Sequence, residues 1–166
     1  MEKEHLLGKT LEELQTVAEE NGLPRFAAKQ IASWLYEKRI DHIAGMSNLS
    51  LKHRELLSQR YDIGREAPVQ SLRSTDGTIK YLFRGGGDDF VETVYIPDRD
   101  RATLCVSSQV GCKMNCSFCM TGKQGFKRSL SSAEIINQIL SVEYSDKLTN
   151  LVFMGMGEPF DNLDEV

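Results

Sequence analysis

With 166 residues, a formal net charge of −4, 40% hydrophobic and 27% charged residues, the chain has the composition of a folded globular protein. Its length allows one ordinary domain, or a small domain plus part of a larger one, and its charge offers no global positive field, so any nucleic-acid contact must come from a local patch. The opening MEKEHLLGKTLEELQ has no apolar leader, and no window reaches the ~18 apolar residues of a membrane span, so a cytoplasmic protein without membrane partners is expected.

The stretch up to about Gly64 reads as helices. Thr10 and Glu13 make a capping box ahead of Leu11, Leu14, Val17 and Ala18, and Asn21-Gly22 stops that helix. Phe26, Ala27, Ile31 and Leu35, with Trp34, mark a second helical face ending near Lys38-Arg39. A third helix is expected from about Ser47–Ser50, carrying Leu51, Leu56, Leu57 and Tyr61. The product is a small helical domain over residues 1–66. Its basic residues, such as Arg25, Lys38 and Arg54, are interleaved with nearly as many acids. That reads as a solvated surface, which permits contacts to a nucleic-acid backbone without showing them.

From Pro68 the period becomes alternating, and residues 67–97 read as a connecting β-hairpin region. Asp76-Gly77 turns between Val69–Arg73 and Lys80–Arg84; Gly85-Gly86-Gly87 makes the next turn, followed by the strand Phe90–Ile96. Phe90, Glu92, Val94 and Ile96 share one face of it. A carboxylate there means either that the face opens to water or that Glu92 sits in a cavity with a raised pKa and a chemical task.

Residues 98–166 read as the start of a further domain. Ala102–Val110 is expected as one strand, with Cys105 inside it as a small core residue, and it leads into GCKMNCSFCMTGKQGF. There Cys112, Cys116 and Cys119 follow the spacing C-x3-C-x2-C. Three thiolates from one loop can hold a soft metal centre and leave one coordination position open. Zinc sites usually close with four ligands, and His5, His42 and His53 lie far upstream. Lys123, Lys127 and Arg128 form a small basic patch suited to an anion. A helix beginning at Ser131 or Ser132 with Glu134 presents Ile135, Ile136, Ile139, Leu140 and Val142, and Leu151–Met154 reads as a buried parallel strand. Strand, loop, helix and strand make one β-α-β unit. Gly155-Met156-Gly157-Glu158-Pro159 then falls just past a strand's carboxyl end, where ligands of α/β folds bind.

The cysteine spacing is similar to that of radical S-adenosylmethionine (SAM) enzymes. With VETVYIP, RATLCVSSQVGCKMNCSFCMTGKQGF and LVFMGMGEP, nearly the whole chain resembles the radical SAM dual-specificity RNA methyltransferase family, which methylates carbon 2 of adenine in 23S rRNA and in tRNA. The resemblance implies a mixed α+β and α/β fold, in which a small helical domain and connecting strands precede the start of a partial TIM-type barrel. It implies a 4Fe-4S cluster on Cys112, Cys116 and Cys119, with SAM bound by Gly157 and Glu158. By the same likeness Glu92 is the proton acceptor. Cys105 is then the resolving cysteine, forming a transient disulfide with a methyl-carrying cysteine absent from these 166 residues. The implied partners are 23S rRNA, tRNA and an electron donor such as flavodoxin or ferredoxin. Because the sequence stops at Val166, early in the expected barrel, it reads as an N-terminal fragment that is inactive alone, whether or not it holds a cluster. A sister group methylating carbon 8 is an alternative, as is a non-catalytic iron–sulfur module for RNA binding or electron transfer.

Overall fold

The computed structural model describes residues 3–166, which divide into two compact units at the Arg65–Glu66 junction. In the first, β1 (Glu4–His5) lies parallel to β2 (Tyr61–Asp62), and α1 (Leu11–Glu20), α2 (Ala27–Ala32) and α3 (Leu51–Arg60) run between them. The expected capping box starts α1: the Thr10 side chain accepts the Glu13 N–H at 3.3 Å, and the Glu13 carboxylate accepts the Thr10 N–H at 2.7 Å. Leu6, Leu14, Ala28, Ile31, Leu35, Met46 and Leu57 form its core.

Several details of the helices differ from expectation. The second helix is α-helical only to Ala32 and continues as a π turn over Ser33–Glu37. Phe26 and Leu51, counted on apolar faces, are exposed, and the core takes Met46 and Leu49 from the loop instead. Tyr61 ends the third helix and begins β2.

The second unit is built on a five-stranded sheet in the order β3-β4-β5-β6-β9. Strands β3 (Gln70–Arg73), β4 (Ile79–Arg84), β5 (Phe90–Asp98) and β6 (Arg101–Cys105) form an antiparallel meander. A short ribbon of β7 (Gln109–Val110) and β8 (Arg128–Ser129) encloses a helical turn, α4 (Met120–Lys123). The crossover helix α5 (Ser132–Leu140) then returns the chain to β9 (Asn150–Val152), parallel to β6. The expected β-α-β unit is therefore present, and the 67–97 strands share its sheet.

Strict alternation sorts the two faces of that sheet. Ile79, Tyr81 and Phe83 of β4, Val91, Thr93 and Tyr95 of β5, and Ala102 and Leu104 of β6 are buried in one core with Ile135 of α5. The opposite face carries Lys80, Leu82, Glu92, Val94 and Cys105, with Phe90 and Ile96 exposed. On this face the Glu92 side chain is half-exposed.

Two strand expectations need correction. The strand into the cysteine loop ends at Cys105, because Ser107 turns its backbone onto buried side chains instead of a neighbouring strand. Leu151, expected in a buried strand, is 48% exposed because β9 is the sheet edge and has only β6 beside it. No helix among the described residues is long and apolar enough to cross a membrane.

Candidate functional site

Because β6 and β9 are parallel neighbours, the segments leaving their carboxyl ends run side by side. The Val106 N–H donates to Val152 O at 2.9 Å, Gly155 N–H to Val106 O at 3.1 Å and Ser108 N–H to Met156 O at 2.9 Å. This close approach demands the glycines. A Cβ on Gly155 would sit 2.6 Å from Ser107 Oγ, and one on Gly157 would sit 2.5 Å from Gln109 Cβ at a backbone φ of +96°. At these two Cβ positions the space is taken up by the neighbouring segment.

Three buried amide side chains serve the segments that depart from β6 and β9. Gln138 Oε1 accepts the Ser107 N–H at 2.9 Å and the Thr93 hydroxyl at 2.6 Å, while its Nε2 donates to Ser107 O at 3.0 Å. Asn162 Nδ2 donates to Ser108 O at 3.0 Å and Leu130 O at 2.9 Å. Gln109, with no exposed surface, accepts the Glu158 N–H at 3.0 Å and donates to Asp161 Oδ2 at 2.8 Å. Buried polar groups require such partners. Sequence reasoning missed all three; the available signal was a glutamine embedded in the apolar helix sequence Ile135-Ile136-Asn137-Gln138-Ile139.

The cysteine loop is pinched at its base. Gly111, at φ +78°, passes so close to the Gly125 carbonyl that no Cβ fits, and the Cys112 N–H donates to Gly125 O at 3.3 Å. All three loop thiols are free; Cys116 is exposed, and Cys112 and Cys119 are half-buried. The Cys119 N–H donates to Cys116 O at 3.0 Å. Backbone hydrogen bonding from Gly122, reinforced by Thr121, holds the Cys119 thiol below its ordinary pKa, which favours the thiolate that a metal needs. Among the described residues no three Cys, His, Asp or Glu side chains converge as a metal-ligand set. The loop's donor set, three free soft thiols within eight residues, fits the chemistry of an iron–sulfur cluster.

Glu158 caps the short turn Pro159–Asp161, its carboxylate accepting the Phe160 N–H at 3.1 Å. On the open face of the sheet, Lys80 Nζ lies 2.9 Å from Glu92 Oε1 beside a shallow hollow of about 100 Å³ lined by Gln70, Leu72 and Leu82. Cys105 lies opposite Val94 on one side and Val152 on the other, so it shares this face with Glu92, two residues along β5. Burial pushes the Cys105 thiol up, partly offset by the Met154 backbone. The expected anion patch is largely spent: Lys127 pairs with Asp89, and Arg128 with Glu134.

Comparisons with known proteins match the two units separately. Residues 4–63 match the ribosomal RNA large subunit methyltransferase N-terminal domain, and residues 106–166 match the radical SAM superfamily. A protein of Phocaeicola vulgatus described as a probable dual-specificity RNA methyltransferase RlmN is 65% identical over 164 residues, 99% of this chain and 47% of the relative. Its namesake from Bacteroides fragilis (strain ATCC 25285) is 66% identical over 166 residues, covering 100% of this chain and 48% of the relative. The crystal structure of a radical SAM methyltransferase from Sphaerobacter thermophilus superposes with a TM-score of 0.87 at 38% identity, over 98% of this chain and 49% of that one. The chain therefore spans about half the length of the curated relatives it matches.

Proposed function

Residues 4–63 belong to the ribosomal RNA large subunit methyltransferase N-terminal domain family and residues 106–166 to the radical SAM superfamily, and on that footing we propose that this chain is part of a dual-specificity RNA methyltransferase acting on carbon 2 of adenine in 23S rRNA and tRNA. One observation carries the reading. The cysteine loop and the Gly157-Glu158 loop leave the same ends of adjacent parallel strands, and Gln109 ties them together.

In this reading Cys112, Cys116 and Cys119 hold the 4Fe-4S cluster that the superfamily match implies, and Gly157 and Glu158 bind SAM. Together the bound groups supply a radical able to abstract hydrogen from a methyl group. Glu92, half-exposed on the open face, accepts the proton leaving the attacked adenine carbon, and Lys80 holds its carboxylate. Cys105, on the same face, would form a disulfide with a methyl-carrying cysteine as the sulfur–carbon bond of its thioether breaks, its thiol proton passing to the freed methyl carbon and the one excess electron passing back to the group that supplied it. The chain's four cysteines are all committed in this scheme, so the methyl-carrying cysteine comes from outside these 166 residues and the chain alone does not turn over. A reduced flavodoxin or ferredoxin in the cytoplasm fits the need for single electrons.

The test begins with anaerobic reconstitution using iron and sulfide. The dithionite-reduced chain is expected to show a cluster signal in electron paramagnetic resonance that shifts on adding SAM. A signal indifferent to SAM, or stoichiometric zinc in place of iron, overturns the reading. Extended through the remaining length of its relatives, the protein is expected to yield 2-methyladenine in both RNAs; 8-methyladenine as the product overturns the carbon-2 assignment.

A further inference from the structure

Lys113, one residue past Cys112, is held from two sides. Its Nζ lies 2.9 Å from Asp161 Oδ2 and 4.4 Å from the centre of the Phe126 ring. Phe126 closes the far end of the cysteine loop, so one ammonium group bridges both ends of that loop and the segment beyond β9. Asp161 Oδ2 also accepts Gln109 Nε2 at 2.8 Å, and the same side-chain amide accepts the Glu158 N–H at 3.0 Å. The path is continuous: Phe126 ring, Lys113 ammonium, Asp161 carboxylate, Gln109 amide, Glu158 backbone.

The arrangement differs from an ordinary surface ion pair in its anchor. Lys113 is half-exposed, but Gln109 is wholly buried and both polar ends of its amide are engaged, so the Asp161 carboxylate is fixed by a group that cannot swing away. Lys113 and Gln109 also lower the carboxyl pKa of Asp161, so the pair is ionic at neutral pH.

We propose that Asp161 and Lys113 are positioning residues that lock the cysteine loop to the Gly157-Glu158 loop, fixing the cluster ligands against the loop assigned to SAM. This rests on the methyltransferase reading for what the two loops carry. The coupling between the loops is a property of the chain itself and is tested without any cofactor.

The experiment has two arms on the 166-residue chain, with Asp161→Ala, Lys113→Ala, the double variant and Lys113→Arg. In the cofactor-free chain, amide hydrogen exchange is followed at Cys112 and Glu158. Each alanine variant is expected to speed both amides by about threefold or more, the double variant no further than either single, and Lys113→Arg to stay at the parent rate. Acceleration in one loop alone, no acceleration, or multiplicative effects in the double variant overturns the proposal. In the reconstituted chain, the SAM concentration at half-maximal shift of the cluster signal is expected to rise about fivefold or more in Asp161→Ala at unchanged iron content. An unchanged midpoint overturns the positioning role. A parent chain whose cluster ignores SAM refutes the methyltransferase reading and leaves the exchange arm to decide the coupling.

Discussion

Gln138 grips Ser107 by both backbone groups of that residue, accepting its N–H at 2.9 Å and donating to its carbonyl at 3.0 Å. A glutamine side chain on α5 thus stands in for the strand that β6 lacks beyond Cys105, and it lets the chain turn toward the cysteine loop without stranding buried polar groups.

Replacing Gln138 with leucine keeps the volume and removes every partner. The Ser107 N–H and carbonyl and the Thr93 hydroxyl are left buried without bonds. A loss of roughly 3 kcal/mol or more from the second unit is expected, since each buried orphan costs about 1–3 kcal/mol. Exchange of the β5 and β6 core amides measures it, and a change below about 1 kcal/mol would show that water or a shifted backbone satisfies Ser107 instead.

The glycine pair makes a sharper contrast. Gly157 and Gly87 both have positive φ, but a Cβ at Gly87 meets nothing within 4 Å whereas one at Gly157 strikes Gln109. Gly157→Ala is therefore expected to cost about 2 kcal/mol or more, while Gly87→Ala costs only about 1 kcal/mol of backbone strain. Thermal unfolding of the two variants side by side decides the matter; equal effects would mean that backbone conformation alone, and no close approach, explains Gly157.

These two cases show what the sequence made legible. The cysteine loop, the capping box at Thr10, a helix start at Ser131 or Ser132 and the crossover from β6 to β9 follow from local spacing, and the structure has them, with Ser131 as the cap. Gln109, Gln138 and Asn162 act on backbone groups distant in sequence, and no periodicity announces a side chain that replaces a missing strand. For the same reason the expected strand Ala102–Val110 ran too long. Alternation put Glu92 and Val94 on one face, but only the completed sheet shows that the helix covers the other face.

Cys105 should be the slow thiol of the chain. Burial raises its pKa, so near neutral pH a smaller fraction is thiolate than for an ordinary cysteine, and access is restricted as well. In the reduced, metal-free chain, alkylation by iodoacetamide is expected at Cys116 about tenfold faster than at Cys105, read by peptide mass spectrometry. The Cys105 rate should climb with pH past the ordinary thiol range. Since its folded pKa is raised, its favourable contribution to stability is present below the ordinary thiol pKa and is lost as pH rises through the folded value. A Cys105 rate equal to that of Cys116 would show that the sheet face leaves the sulfur fully accessible.

Glu134 links the start of α5 to the ribbon that closes the cysteine loop. Burial pushes its carboxyl up, but the Arg128 guanidinium, bonded at 2.9 Å and 2.5 Å, together with the Ser131 N–H at 2.9 Å, outweighs burial and holds the pKa below the usual value. A carboxylate with a depressed folded pKa stabilises above its unfolded pKa, and that contribution disappears as pH falls through the folded value. Glu134→Gln should therefore cost roughly 1–2 kcal/mol near neutral pH, a figure that sets a capping bond and a part-buried ion pair against solvent screening. The deficit relative to the parent chain should shrink steadily on acidification from about pH 5 downward, as the parent carboxylate takes up its proton. Urea unfolding of both proteins across that range supplies the curve. A deficit independent of pH would mean that glutamine fails for geometric reasons and that the charge on Glu134 contributes nothing.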